Sequence, residues 1–189
     1  MLILGLDQAP SNIGFAYGEP GAVPVWGVHR CNDYGDNTAR LGKHVREWVM
    51  TLGKSIGAER IYYEQTLVRK FGFSMPTYRK QTKVADAIET AADMLGLLDD
   101  VFEVDIGDWR REFYAGKRPP KNADSQSAVW KEIAVQECLA RNWLVEDHHA
   151  AEACGIWYYG CVHSDKRFRV QHKVTMRRAE LKAMQAEAV

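Results

Sequence analysis

Apolar residues run unbroken through LILGL, residues 2–6, and stop at Asp7. A run this short, closed by the turn QAPSN, is a buried strand. IGFAYG (13–18) and AVPVWGVHR (22–30) read as the next two strands, parted by a turn around Pro20 and Gly21. Three strands joined by short turns predict an antiparallel meander. The period then changes. Leu41, Val45, Trp48, Val49, Leu52 and Ile56 fall on one face of a helix. RIYYEQ (60–65) is a fourth strand, and Val84, Ile88, Ala91, Ala92 and Leu95 mark a second long helix. VFEVDI (101–106) is a fifth strand, and residues 126–141 form a helix capped by Ser125 or Ser127. Ala150, Ala153, Cys154, Trp157, Tyr158 and Cys161 give the last core helix an amphipathic stripe, with Asp147 as its N-cap.

The order β-β-β-α-β-α-β-α-α predicts an α/β sandwich built on a mixed sheet. Length agrees: 189 residues suit one domain, here 1–163, followed by a polar, basic C-terminal tail at 164–189. No stretch approaches the roughly 20 apolar residues of a membrane helix, so the expectation is a soluble, cytoplasmic protein with no membrane partner. The four cysteines include no C-x-x-C pair and three lie in helical patterns, which reads as reduced core thiols rather than a zinc site.

Chemistry gathers at element ends. Asp7 closes the first strand and Glu64 the fourth, and DHHAAEACGIWYYG (147–160) opens the last helix with Asp147, His148, His149 and Glu152. If the first and fourth strands are neighbours, both acids lie at one edge of the sheet, where the last helix can present its N-terminus. His149 and Glu152 are three apart and share a face. Clustered carboxylates repel one another unless a cation neutralises them. Oxygen donors with one imidazole suit Mg²⁺ or Mn²⁺. Two such ions about 3.5–4 Å apart clamp the attacking and leaving oxygens of a phosphodiester. The expected ligands are Asp7, Glu64, His149 and Glu152, with Asp147 as an alternate whose main work is capping. GKS at 53–55 lies inside a helical period and lacks the upstream glycine of a phosphate loop, so no nucleotide cofactor is expected.

Net charge is zero, yet the basic residues are unevenly spread. Residues 66–83 carry Arg69, Lys70, Arg79, Lys80 and Lys83 with no acid, a local +5, interleaved with Phe71 and Phe73. Residues 109–131 include Arg110, Arg111, Lys117, Arg118 and Lys121 and sum to +4, and residues 165–182 sum to +5. Cations interleaved with aromatics beside a carboxylate cluster fit phosphate contact and base stacking, hence DNA binding.

These motifs together resemble the RuvC family of Holliday-junction resolvases, which are ribonuclease H-like nucleases. LGLDQAPSNIGFAYG is similar to the family's opening strand-turn-strand, with Asp7 at the metal position. YYEQTLVRK resembles its second motif, with Glu64 as the acid and Lys70 as the later lysine, and Gln81 falls near a glutamine of the following helix. HAAEACGIWYYG resembles the closing helix, with His149 and Glu152 at the two acid positions. The overlap spans residues 1 to about 162. Ala9 and Pro10 stand where the family has an early glycine, Leu67 where it has an aromatic, and Glu152 where it has Asp. The segment DWRREF and the basic tail look more like phage-encoded members, whose cytoplasm would be that of a bacterial host. The resemblance implies a five-stranded mixed sheet flanked by helices, two Mg²⁺ per site with Mn²⁺ substituting, a homodimer, and nicking of four-way and other branched DNA. Two alternatives stay open: a related nuclease for flaps, forks or RNA–DNA hybrids, and a non-catalytic binder of DNA structure. A sugar-kinase or actin-like ATPase shares the strand order, but it needs a second domain that 189 residues cannot hold.

Overall fold

A computed structural model describes residues 1–31, 34, 37–66 and 74–187. Its strands are β1 (Ile3–Asp7), β2 (Asn12–Gly18), β3 (Val25–Arg30), β4 (Arg60–Glu64) and β5 (Val101–Val104). They form one sheet in the order β3-β2-β1-β4-β5. β1–β2 and β2–β3 pair antiparallel, and β1–β4 and β4–β5 pair parallel. The predicted meander and mixed sheet are both present, and β1 and β4 are neighbours. β1 is buried along its whole length because helices cover both faces of the sheet, which is why its sequence does not alternate.

The helices are α1 (Thr38–Ile56), α2 (Met75–Met94), α3 (Ile106–Phe113), α4 (Gln126–Ala140), α5 (His148–Ser164) and α6 (Lys166–Glu187). One core lies beneath α1 and α2, with Leu4, Leu6, Ile13, Val45, Val49, Ile61 and Ile88 at its centre. The other lies beneath α5, with Ile3, Tyr62, Trp109, Phe113, Ile156 and Trp157. Gly42 of α1 meets Lys83 of α2, and Gly53 meets Leu95, so the two helices run in parallel. Both therefore start at the sheet end where β1 and β4 stop.

Local signals account for the element ends. Ser74 caps α2, with Pro76 in its first turn, so that helix begins well before the apolar stripe and carries Arg79, Lys80 and Lys83. Ser125 caps α4. Asp105 ends the fifth strand two residues earlier than the hydrophobic run suggests. Its Oδ1 accepts from the backbone N–H groups of Gly107 (2.7 Å) and Asp108 (3.2 Å) and starts α3, a helix the apolar pattern did not announce. Residues 166–187 form α6 against α5: Tyr158 Oη lies 2.9 Å from His172 Nδ1, and Arg169 donates to the carbonyls of Val162 and His163. Among the described residues no helix is long and apolar enough to cross a membrane.

α5 departs most from its sequence pattern. The stripe predicts one buried face, but Ala150 through Trp157 are all buried. The helix is wedged between the sheet and α3, and small residues make room on both sides. A Cβ on Gly5 would lie 2.5 Å from the Trp157 nitrogen, and one on Gly14 would lie 2.0 Å from the His149 carbonyl oxygen. On the opposite face Gly155 accommodates Trp109 and Phe113. Gly14→Ala is expected to push the first turn of α5 off the sheet and to destabilise the protein by roughly 1–3 kcal/mol. Denaturant unfolding checks this, and an unchanged midpoint would contradict the close packing.

Candidate metal centre

Asp7 is the last residue of β1 and points to the α5 face, since it sits in register with Gly14 beneath His149. Asp147 caps α5, its Oδ1 accepting from the N–H groups of His149 (2.7 Å) and Ala150 (3.2 Å). That cap turns His149 and Glu152 toward the strand end. His149 Nδ1 lies 2.6 Å from Asp7 Oδ2. Ligand atoms of Asp7, His149 and Glu152 all fall within 4.8 Å of one another. Asp7 and Glu152 are buried and His149 is half-buried.

Glu64 ends β4, one strand over, and is oriented from two sides. Its Oε2 accepts from Trp109 Nε1 at 3.0 Å. Gln8 Nε2 donates to its backbone carbonyl and, at 3.1 Å, to Thr66 Oγ1. Arg110, the residue after Trp109, donates from Nη2 to Glu152 Oε1 at 3.0 Å. Its guanidinium also lies 4.9 Å from the ring centre of Trp130 and 5.3 Å from that of Trp109.

Asp7 and Glu64 are held away from their charged forms. Burial, and then the neighbouring Glu152, raise the Asp7 carboxyl well above the usual aspartate range. Burial, followed by the charges of Asp7 and Glu152, pushes Glu64 up to about 8. Desolvation lowers His149, so its imidazole is neutral at pH 7. Asp7 and Glu64, two carboxyls that resist ionisation, together with the Glu152 carboxylate and a neutral imidazole, form a donor set for a hard divalent cation, which would stabilise the charges the protein alone disfavours.

Of the expected ligands the structure brings together Asp7, His149 and Glu152, with Glu64 close enough to feel the charges of Asp7 and Glu152. Asp147 is engaged by the backbone as a cap. Of the basic and aromatic residues expected to meet DNA, Arg69, Lys70, Phe71 and Phe73 lie outside the described residues. Arg79 is exposed on α2, and the half-buried Lys83 pairs with Asp86 at 3.6 Å. Arg111 pairs with Asp108 at 3.0 Å, Lys117 pairs with Glu137, and Arg118 and Lys121 are exposed. Arg110 is only 17% exposed and its charge is directed at Glu152, a position that a count of basic residues does not reveal. Sequence reasoning also missed Gln8, Trp109 and Lys131, whose positive charge is felt at Asp7 and His149. The signal for Trp109 was the Asp105 cap, which sets the rotation of α3.

No family model matches the chain, and no curated protein matches its sequence significantly. Solved structures do match. Thermus thermophilus RuvC in complex with Holliday junction substrate superposes with a TM-score of 0.61 at 15% identity, over 83% of this chain and 90% of that one. A second Thermus thermophilus RuvC structure gives 0.60 at 14% identity, over 83% and 91%. The yeast mitochondrial Holliday junction resolvase gives 0.51 at 11% identity, over 95% and 85%. The chain therefore has the ribonuclease H-like fold seen in these proteins, a five-stranded mixed sheet flanked by helices.

The raised acids set a pH dependence for the cation-free protein. Between about 4.5 and about 8 the folded chain keeps a proton on Glu64 that the unfolded chain has released. A carboxyl raised on folding contributes stability that is lost as pH rises, by up to about 1.4 kcal/mol per pH unit for each such group. In EDTA the Tm is expected to fall from pH 5 to pH 8, and Mg²⁺ should flatten that fall. Asp7→Asn should raise the Tm at pH 8 in EDTA, by about 2–4 °C for each kcal/mol of relieved repulsion. A Tm that is independent of pH and Mg²⁺ would contradict the cluster.

Proposed function

We propose that this protein is a metal-dependent endodeoxyribonuclease that nicks four-way (Holliday) junctions and other branched DNA by phosphodiester hydrolysis. The observation that carries the reading is the convergence of Asp7, Glu64, His149 and Glu152 at one sheet end, on a fold shared with junction resolvases. Asp7, Glu64 and Glu152 would hold Mg²⁺ through carboxylate oxygens, with Mn²⁺ able to substitute. The bound cations would supply Lewis acidity and a water activated near neutral pH.

The chain's own residues do the rest. Asp147 fixes the first turn of α5 and so the position of His149. Once Asp7 is ionised beside the cation, His149 would donate its Nδ1–H to that carboxylate and keep its other ring nitrogen as a base. Trp109 and Gln8 hold Glu64 in place, while the apolar walls of the second core keep bulk water from the carboxylates' far side. Arg110 places a cation beside Glu152, where the negative charge of a scissile phosphate would be stabilised. Arg79, Arg111, Lys117, Arg118 and Lys121 offer phosphate contacts further out. A four-way junction has two strands to cut, so the working unit is proposed to be a homodimer with one site per strand.

A synthetic four-way junction, compared with linear duplex and flap DNA with and without Mg²⁺, tests the reading. Cleavage is expected on the junction and only with the metal. Asp7→Asn and Glu152→Gln are each expected to lower cleavage at least a hundredfold while junction binding persists. Asp147→Asn should cost little, because Asn also caps well. Full cleavage by Asp7→Asn would overturn the site assignment, and equal cleavage of flap and junction would favour a broader branched-DNA nuclease.

A further inference from the structure

A second group of metal-ligating side chains lies on the other face of the sheet. His29 is in β3 and pairs across the sheet with Ile13, which belongs to the core beneath α1. Cys31 follows two residues later on the same side of the extended chain, held there by its backbone N–H on the Ser11 carbonyl at 2.8 Å. His44 comes from the second turn of α1. One ligand atom from each falls within 4.8 Å of the other two, and the Nε2 atoms of His29 and His44 are 2.7 Å apart.

We propose that His29, Cys31 and His44 form a second cation site, one that selects zinc(II) or a similar thiolate-binding transition-metal ion over Mg²⁺. The rings are oriented for it. The Tyr34 hydroxyl lies 2.9 Å from His44 Nδ1, and as acceptor it fixes the tautomer whose Nε2 lone pair faces His29 and Cys31. His29 is stacked on Trp48, with ring centres 4.2 Å apart and planes within 7°. Tetrahedral zinc with nitrogen at about 2.0–2.1 Å and sulfur at about 2.3 Å places its donors about 3.3–3.6 Å apart. The two histidine nitrogens are closer than that spacing and the Cys31 donor lies within 4.8 Å of both, so small side-chain rotations that open the His29–His44 hydrogen bond would admit the ion. Cys31 is 4% exposed, and its thiol would lose its proton to solvent as the metal–sulfur bond forms, with no redox change. Soft sulfur and two imidazoles disfavour Mg²⁺, so the two sites would load independently. A metal here would clip the edge strand β3 to α1.

Cobalt(II) is the probe, because a cobalt–thiolate bond absorbs in the near ultraviolet and carboxylate ligation does not. The full-length chain, reduced with a phosphine, is titrated with Co²⁺. A thiolate charge-transfer band saturating at one equivalent is expected, bleached by Zn²⁺ but not by excess Mg²⁺. Cys31→Ser should abolish the band, His44→Gln should weaken Co²⁺ binding at least tenfold, and Asp7→Asn should leave it unchanged. If Cys31→Ser does not fold by circular dichroism, His44→Gln decides. No band, a band that survives in folded Cys31→Ser, or tight binding by His44→Gln would overturn the proposal and leave the two histidines as a hydrogen-bonded pair. The readout needs no DNA, so it stands or falls apart from the nuclease reading.

Discussion

The structure depends on how closely α5 approaches the sheet. Gly5 and Gly14 put no side chain at the two points where α5 comes closest to β1 and β2, and the His149 carbonyl sits where a Cβ on Gly14 would be. Only that approach puts His149 within 2.6 Å of Asp7. The same approach explains why a helix with two histidines and an acid in its first turns is buried almost all round. Its small residues, Ala150, Ala151, Ala153 and Gly155, trade helix-helix spacing for proximity, and Trp109 and Phe113 fill the space behind.

That packing sets up an electrostatic conflict which the rest of the site manages. Asp7, Glu64 and Glu152 arrive from three elements and are desolvated together. The protein supplies partial answers: the indole of Trp109 for Glu64, the guanidinium of Arg110 for Glu152 and the imidazole of His149 for Asp7. None of these removes the mutual repulsion, and the carboxyls of Asp7 and Glu64 stay raised above their usual range. Mutual repulsion of desolvated carboxylates at a strand end is what the proposed cation would relieve.

Charge on the outer surface follows a different logic. Several cations expected to face DNA already have acidic neighbours, such as Lys83 with Asp86 and Arg111 with Asp108. Exposed pairs of this kind are weak and exchange readily for phosphate contacts. Arg110 differs, because it is clamped between Trp130 and Glu152 and belongs to the site itself.

The sequence by itself determined the strands and most helices, because hydrophobic period and caps are local: LILGLD, IGFAYG, RIYYEQ and the stripe from Leu41 to Ile56 each read correctly in isolation. It also singled out the acids Asp7 and Glu64 as candidates, since charges that end buried strands stand out. The tertiary structure decided what those residues meet. The hydrophobic pattern was silent on α3 because its eight residues hold few core positions and start from the Asp105 cap. Arg110 reads as one more basic residue until the rotation of that helix brings it to Glu152. The absence of a C-x-x-C pair argued against a thiolate metal site, yet His29 and Cys31 meet His44 only because β3 lies beside α1, a contact between residues 13 or more positions apart. Spacing along a chain limits which ligands one element can offer. Which elements share a face is settled by packing, and packing depends on the whole sheet at once.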